Sequence, residues 1–233
     1  ADGKNVWDYK TAMTPNTIPK SLVIVGSGAI GMEFASFYND LGVKVTIIEA
    51  LTNILPNEDE DISKIVHNNF VKRGIDIKTG NSLKSVQIKS DTVISEISKD
   101  GKNEFINSEK LILAVGIVAN TENIGLEKFN VKIDKGHIVT NKFLETDEKG
   151  IYAIGDVTAG PWLAHKASHE GILCVEKIAG KTDLSPLDKS SIPGCTYCRP
   201  QVASIGLTEK NANLNNINIT VGKFPFIGNG KAI

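Results

Sequence analysis

Short apolar runs alternate with segments of helical periodicity along the first fifty residues. Residues 22–25 are continuously apolar and mostly β-branched, which predicts a strand buried on both faces. Apolar residues recur at the spacing of one helix face from Ala29 to Leu41, and Gly42 follows, where a helix C-terminus favours glycine. Residues 43–48 form the next apolar strand, which ends at Glu49. This order predicts two parallel neighbouring strands joined by a right-handed crossover.

Beyond Glu49 the pattern changes from helical to alternating. Residues 58–73 predict a second helix closed by Gly74, and residues 111–115 predict another fully apolar strand. Between them, residues 99–102 form a turn signal inside an antiparallel meander. A strand is predicted at 75–78, followed by strands in the alternating stretches 83–89, 92–98 and 105–106. Residues 1–118 are therefore predicted to form a doubly wound, Rossmann-like α/β domain with an inserted antiparallel meander.

A second and a third segment follow. Residues 119–145 are polar and loop-like, residues 151–154 predict a strand ending in Gly155-Asp156, and residues 164–179 predict a helix. Pro186 and Pro193 mark a boundary, and the rest of the chain stops in an apolar run without a cap, which indicates a fragment. The predicted domains are 1–118, 119–187 and 188–233.

Composition narrows the classes of function. The chain has 26 Lys and Arg against 27 Asp and Glu, so it has no basic field for nucleic acid or an anionic membrane. No apolar run approaches the roughly 20 residues that span a bilayer, and the polar start does not match a signal peptide. Three cysteines do not make a secreted disulfide framework. We expect a cytoplasmic protein, or an organelle-matrix protein that has lost its targeting segment.

The strongest motif is the glycine-rich turn Gly26-Ser27-Gly28-Ala29-Ile30-Gly31 between a predicted strand and a predicted helix. Gly26 permits a tight turn, Gly28 lets the backbone approach a pyrophosphate, and Gly31 lets the helix pack close to the strand. The phosphates then face the amide groups and positive dipole end of the helix. We expect residues 26 and 28–31 to bind a dinucleotide, with no lysine required.

Glu49 indicates which dinucleotide is bound. It lies 18 positions after Gly31, at the end of the second strand. A carboxylate there accepts hydrogen bonds from the adenosine ribose and repels a 2′-phosphate, and no Arg follows in residues 50–53. The sequence therefore predicts NAD rather than NADP.

Residues 151–156, Ile-Tyr-Ala-Ile-Gly-Asp, resemble the second FAD motif of the pyridine nucleotide–disulfide oxidoreductases. Residues 159–171 resemble the dihydrolipoamide dehydrogenase branch of that family, although Trp162 stands where the family commonly has Met. The resemblance implies that Asp156 accepts hydrogen bonds from the flavin's ribityl chain. It also implies that residues at the following helix start lie beside the flavin, namely Leu163, Ala164 and His165.

The resemblance extends over nearly the whole chain. It implies that Glu33 lies near the nicotinamide and that Gly116 lies beside bound NAD. Residues 195–209 and 223–232 resemble the start of an α+β dimer-interface domain. Within this segment, Cys195 and Cys198 have the spacing of a redox pair or half a zinc site, but interface packing is favoured because no second pair exists and a strand follows. No catalytic residue and no metal ligand is assigned.

The resemblance implies an enzyme that reoxidises dihydrolipoamide through a redox disulfide and FAD, with hydride transfer to NAD⁺. It further implies a homodimer that serves the dihydrolipoyl domains of 2-oxoacid dehydrogenase complexes. The family's Cys-x4-Cys pair and His–Glu pair are absent from this chain, so we expect it to be inactive alone. Two alternatives are an NADP-dependent disulfide reductase, which Glu49 opposes, and a non-catalytic nucleotide-binding scaffold.

Overall fold

Residues 1–231 are described by a computed structural model, and residues 232 and 233, the last two of the predicted third domain, lie outside the described residues. The chain divides into two units. The first contains Ala1–Ala114, Cys195–Val202 and the segment that starts at Leu207, and the second contains Val115–Gly194 and Ala203–Gly206. The three-part division of the sequence stays a prediction.

Within its described residues, the first unit contains a five-stranded parallel sheet, an antiparallel meander and four helices. Its strands are β1 (Val6–Trp7), β2 (Ser21–Val25), β3 (Lys44–Glu49), β4 (Asp76–Thr79), β5 (Ser82–Lys89), β6 (Thr92–Lys99), β7 (Lys102–Ser108) and β8 (Lys110–Leu113). Its helices are α1 (Tyr9–Met13), α2 (Ala29–Asp40), α3 (Glu60–Lys72) and α5 (Glu209–Leu214). Helix α4 (Ala164–Ile178) belongs to the second unit. A 3₁₀ turn covers Phe226–Gly228.

The parallel sheet has the order β1-β8-β2-β3-β4, and β5, β6 and β7 form a separate antiparallel sheet. Alternation along β2 explains how both faces are buried. Leu22 and Ile24 pack in a core with residues of α2 and α3, whereas Val23 and Val25 pack in a second core with Val93 of the meander. The predicted α/β class with a meander is therefore confirmed, and the meander covers the face opposite α2 and α3.

Glycine ends both long helices of this unit. Gly42 follows α2 with φ of +83°, and Gly74 follows α3 with φ of +85°, in the left-handed region that favours glycine. The chain then reverses into β3 and β4. Both predicted helices and both predicted stops are confirmed.

The first twenty residues contain structure that the sequence pattern did not predict. Asp8 caps α1 by accepting a hydrogen bond from the Thr11 amide, and β1 pairs with β8 at the edge of the sheet. Trp7 is buried in the same core as α2. Elements of two and five residues are too short to produce a periodic signal.

The second unit is mostly loop around one long helix, α4 (Ala164–Ile178). Strands β9 (Ile133–Asp134) and β10 (His137–Ile138) form a short hairpin, and 3₁₀ turns cover Leu126–Lys128, Gly155–Val157 and Lys189–Ser191. Two further strands each include residues of both units: β11 (Gly194–Thr196) has only Gly194 in the second unit, and β12 (Val202–Ser204) has only Val202 in the first. A small core joins Leu144, Leu173 and Cys174.

The strand predicted at residues 151–154 was wrong. The structure has a single antiparallel bridge there, between Glu145 and Tyr152, and then the 3₁₀ turn that starts at Gly155. An apolar, β-branched run becomes a strand only where a neighbouring strand supplies a ladder of hydrogen bonds. Within residues 1–231, this run has only that bridge. In the same described range, no helix combines the length and apolarity needed to cross a bilayer.

Candidate functional site

The glycine-rich turn joins β2 to α2 as the sequence motif requires. Gly26 has φ of +101°, a conformation that side-chain-bearing residues rarely adopt. A Cβ atom on Gly31 would overlap the carbonyl oxygen of Gly26, so only glycine lets the helix start against the turn. A Cβ atom on Gly28 would have no neighbour within 4 Å. Gly28 thus faces open space, which leaves its backbone accessible.

The start of α2 has no side-chain cap. Gly28 is the N-cap residue and has no side chain with which to accept a hydrogen bond. The amide groups of Ala29 and Ile30 lie in the first turn, where an α-helix has no internal acceptors. Both residues are exposed. The turn therefore presents backbone donors and the positive end of the helix dipole to an anionic ligand.

Glu49 is held against the glycine-rich turn. Its Oε2 atom accepts hydrogen bonds from the backbone nitrogen of Ser27 at 2.9 Å and from Ser27 Oγ at 2.6 Å. Its Oε1 atom accepts a hydrogen bond from the Leu51 amide at 2.8 Å. Only 8% of Glu49 is exposed. The structure thus brings the predicted acidic residue and the predicted phosphate loop together, linked by a serine whose role the sequence did not indicate.

Glu33 belongs to the first unit and Gly116 to the second. Glu33 is half-buried on α2, and its Oε1 atom accepts a hydrogen bond from the Tyr197 amide at 2.8 Å. Gly116 is exposed, has φ of +124° and belongs to the second unit. A role beside nicotinamide stays a prediction for both residues.

The second candidate site lies in the second unit, at the turn before α4. Asp156 is exposed in the middle of the 3₁₀ turn Gly155–Val157. Leu163 is the N-cap of α4 and cannot cap it with its aliphatic side chain, and Ala164 begins the helix. This unit therefore presents a carboxylate and an uncapped helix N-terminus, two features that hydrogen-bond hydroxyl and carbonyl groups.

His165 and Trp162 have structural contacts in this unit. The Nε2 atom of His165 lies 2.8 Å from the carbonyl oxygen of Pro193, so the ring nitrogen donates to that oxygen. The Trp162 ring lies 5.2 Å from the His137 ring, measured between centroids. These contacts fix the entry to α4. A place beside the flavin stays a prediction for His165.

A buried charged network beneath this turn was missed by sequence reasoning. Lys166 and Glu170 form an ion pair with a separation of 3.0 Å, and each is only 1% exposed. Both also hydrogen-bond the backbone of Gly155. Their i,i+4 spacing was visible, but such pairs are usually solvent-exposed on one helix face, so the spacing alone gave no signal of burial.

The cysteine pair divides into one exposed and one buried thiol. Cys195 is exposed, whereas Cys198 is 4% exposed and packs in the core of the first unit. Burial raises the pKa of the Cys198 thiol to about 11, which opposes formation of a reactive thiolate. Throughout residues 1–231, no group of three or more His, Cys, Asp and Glu side chains is arranged to hold a metal ion.

Arg73 connects the cysteine-containing segment to the first unit's helices. Its guanidinium donates to Ser36 Oγ at 3.1 Å, to the Ser36 carbonyl at 3.2 Å and to Asp40 at 2.8 Å. It also donates to the carbonyl of Arg199 at 2.7 Å, and Ser36 Oγ accepts from the Arg199 amide at 3.0 Å. These bonds fix residues 197–199 beside α2.

Two family profiles match the chain. The profile of the pyridine nucleotide-disulphide oxidoreductases matches residues 2–171, a range that includes the glycine-rich turn and Asp156. The profile of the dimerisation domain of the same family matches residues 192–233.

Curated relatives are dihydrolipoyl dehydrogenases. The protein of Rhizobium etli is 48% identical over 233 residues, which is 100% of this chain and 48% of that protein. The protein of Zymomonas mobilis is 49% identical over 234 residues, which is 100% of this chain and 50% of that protein. The chain thus spans about half the length of the curated relatives it matches.

Two solved structures have a fold similar to that of this chain. The crystal structure of LpdA from Mycobacterium tuberculosis has a TM-score of 0.83 and 26% identity, covering 92% of this chain and 46% of that one. The HOCl-induced flavoprotein disulfide reductase RclA from Escherichia coli has a TM-score of 0.87 and 26% identity, covering 97% of this chain and 52% of that one. The chain belongs to the pyridine nucleotide–disulphide oxidoreductase family.

Proposed function

We propose that this chain supplies the NAD-binding unit and part of the FAD site of a dihydrolipoyl dehydrogenase. The complete protein would oxidise dihydrolipoamide and reduce NAD⁺. Identity close to one half with two dihydrolipoyl dehydrogenases, over the whole chain, carries this proposal. The catalytic thiols and their acid–base pair are not among these residues. The role of this chain is therefore to bind and orient cofactors.

The glycine-rich turn fits the pyrophosphate of NAD. The open space at Gly28 admits a phosphate close to the backbone, and the first-turn amides of α2 donate hydrogen bonds to it. Glu49 supports the choice of NAD over NADP. A carboxylate has about four lone-pair positions, and Ser27 and Leu51 together use three of them here. One acceptor position then serves a ribose hydroxyl, whereas a 2′-phosphate would meet a negative charge.

The turn at Asp156 fits part of an FAD site. Asp156 would accept hydrogen bonds from the ribityl hydroxyls, and the amides at the start of α4, from Leu163 to His165, would donate to the pyrimidine edge of the ring. When bound, FAD supplies two-electron transfer between a dithiol and the nicotinamide. The positive end of α4 would stabilise negative charge on that edge of the flavin.

The partners and cellular location follow from the same proposal. The match to a dimerisation domain supports a homodimer. The substrate would be the dihydrolipoyl domain of a 2-oxoacid dehydrogenase complex. The bacterial relatives support a cytoplasmic location.

A competing function is that of an NADP-dependent disulfide reductase, and RclA, a flavoprotein disulfide reductase, shares the fold. The greater identity to dihydrolipoyl dehydrogenases and the position of Glu49 favour the first function.

The test is the oxidation of dihydrolipoamide by the natural full-length protein that contains this chain, followed by NADH absorbance. We expect turnover with NAD⁺ and a much lower rate with NADP⁺. Assays with glutathione disulfide and NADPH form the comparison. Faster turnover in that second assay would replace the proposed function with that of a disulfide reductase.

A further inference from the structure

Lys166 and Glu170 occupy the most buried charged positions of the second unit. Each side chain is almost fully removed from solvent, at 0% and 2% exposure respectively. Lys166 is also the third residue of α4, where a positive charge faces the positive end of the helix dipole. Burial of a charged pair costs more than burial of apolar side chains of the same size. Stability therefore does not explain why this charged pair is buried.

All three protons of the Lys166 ammonium have acceptors. The Nζ atom donates to Glu170 Oε2 at 3.0 Å, to the Gly155 carbonyl at 3.0 Å and to Thr158 Oγ1 at 3.1 Å. Thr158 Oγ1 in turn donates to the same carbonyl at 2.8 Å. Glu170 Oε2 accepts a hydrogen bond from the Gly155 amide at 2.7 Å. Both backbone groups of Gly155 are thus held by side chains of one helical turn of α4.

Gly155 is the residue that needs such restraint. Its φ of +71° lies in the left-handed region, and a Cβ atom there would approach the Cβ of Ala167 to 3.2 Å. Glycine gives this turn its shape but also gives it conformational freedom. The charged network removes that freedom. It thereby also fixes the backbone position of Asp156, the next residue.

The exposed pair Lys181 and Glu176 provides a contrast. Its atoms lie 2.9 Å apart, but its side chains are 46% and 39% exposed and their bond does not involve the turn at Gly155. Exposed pairs of this kind contribute little to stability. The two pairs share residue types and differ in burial and in contact with the backbone, so they form a matched comparison.

We infer that Lys166 and Glu170 are positioning residues for the flavin, which fix the Gly155–Asp156 turn relative to the first turn of α4. The inference rests on the proposed function, because it assigns these residues an action on the FAD site. They act on FAD through Asp156 and do not touch it. Substitution of Lys166 or Glu170 should therefore weaken FAD binding when Asp156 is present and have little effect when Asp156 has been replaced.

The test measures FAD affinity in the natural full-length protein after removal of its flavin. FAD is titrated into the apoprotein of Lys166→Met, Thr158→Val and Lys181→Met, and binding is followed by flavin fluorescence. We expect the Kd for FAD to rise about tenfold in Lys166→Met, which is the loss of one charge-assisted hydrogen bond at Asp156. Thr158→Val should give a smaller rise in the same direction, and Lys181→Met should leave the Kd unchanged.

A double-mutant cycle separates positioning from general destabilisation. Asp156→Asn should weaken FAD binding in the wild-type background and add little in the Lys166→Met background. Circular dichroism of each apoprotein reports whether it is folded at the titration temperature. If Lys166→Met does not fold, the same cycle is measured with Thr158→Val and Asp156→Asn, and the same lack of additivity is expected.

The outcomes are distinct. Full additivity of the two substitutions, or unchanged FAD affinity in the folded variants, would overturn the positioning role and leave the proposed function intact. A wild-type protein that binds no FAD would overturn the proposed function and this inference together.

Discussion

Glu49 Oε2 accepts two hydrogen bonds from Ser27, one from its backbone nitrogen at 2.9 Å and one from its hydroxyl at 2.6 Å. The residue that would recognise the ribose therefore also holds the middle of the phosphate-binding turn. Recognition of the adenosine and the shape of the glycine-rich turn are coupled through one carboxylate. Any change at Glu49 should affect both.

Substitution of Glu49→Gln tests this coupling. An amide places a donor against either the Ser27 amide or the Leu51 amide, because both carboxylate oxygens accept from backbone donors. We expect the free energy of unfolding to fall by about 1–3 kcal/mol, the cost of an unsatisfied buried group. NADH affinity should fall about tenfold. Urea denaturation and fluorescence titration measure the two effects.

Glu122→Gln is the control, since Glu122 is an exposed carboxylate outside the helices and strands. It should change neither quantity appreciably. Unchanged stability in Glu49→Gln would contradict the coupling of Glu49 to the turn.

Substitutions of two glycines in the turn should have different effects, one on NADH binding and the other on stability. Gly28→Ala places a methyl group in open space, so the thermal midpoint should change little while the pyrophosphate is excluded. Gly31→Ala places a methyl group on the carbonyl of Gly26, so the protein should lose several kcal/mol of stability, as expected for severe overpacking. Calorimetric melting and NADH titration of both variants provide the comparison. Normal NADH binding in Gly28→Ala would show that the phosphates lie elsewhere.

The two cysteines should react at very different rates. Cys195 is exposed, and Cys198 is buried with a pKa raised to about 11. We expect iodoacetamide at neutral pH to label Cys195 in the native protein and to label Cys198 only after unfolding. Peptide mass spectrometry identifies the labelled residue. Rapid labelling of both thiols, or a native disulfide between them, would support a redox pair in place of packing.

The pKa of Cys198 also predicts an alkaline loss of stability. The thiol of Cys198 has a pKa of about 8.5 in the unfolded state and about 11 in the folded state, so the folded protein holds its proton more tightly. The stability that this thiol contributes is therefore complete below about pH 8.5 and is lost as the pH rises through about 11. The difference in urea midpoint between the wild type and Cys198→Ala should be smaller at about pH 10 than at about pH 7. A difference that is independent of pH would contradict the raised pKa.

The outline of the first unit could be predicted because its strands and helices are long and periodic. The apolar run at residues 22–25 and the glycines at 42 and 74 are local signals, and they were sufficient to predict β2 and the ends of α2 and α3. The run at residues 151–154 had the same apolar character, yet it forms only one bridge. A strand depends on its partners in space, which a local pattern does not reveal.

The candidate site was predictable in its glycines and in Glu49, but not in the side chains that fix them. Ser27, Lys166 and Arg73 are polar residues with no motif of their own. Their importance comes from burial and from bonds to backbone groups distant in sequence, such as the bond from Arg73 to Arg199. Tertiary contacts of this kind have no periodic signature.

Arg73 should tolerate no conservative replacement. Its guanidinium donates to four acceptors on Ser36, Asp40 and Arg199, a set that a lysine ammonium cannot reproduce. We expect Arg73→Lys to lower the free energy of unfolding by about 1–3 kcal/mol and to speed amide hydrogen exchange at residues 198–199. Arg199→Lys should be nearly neutral, because its side chain is 79% exposed and its ion pair measures 3.9 Å. Equal effects from both substitutions would remove the special role of Arg73.

The nucleotide preference of the natural full-length protein is tested most directly by isothermal titration with NADH and with NADPH at one salt concentration. NADH should bind about tenfold more tightly than NADPH, and Glu49→Gln should lose that preference. Equal or tighter binding of NADPH by the wild type would contradict the assignment of Glu49 and the glycine-rich turn to NAD.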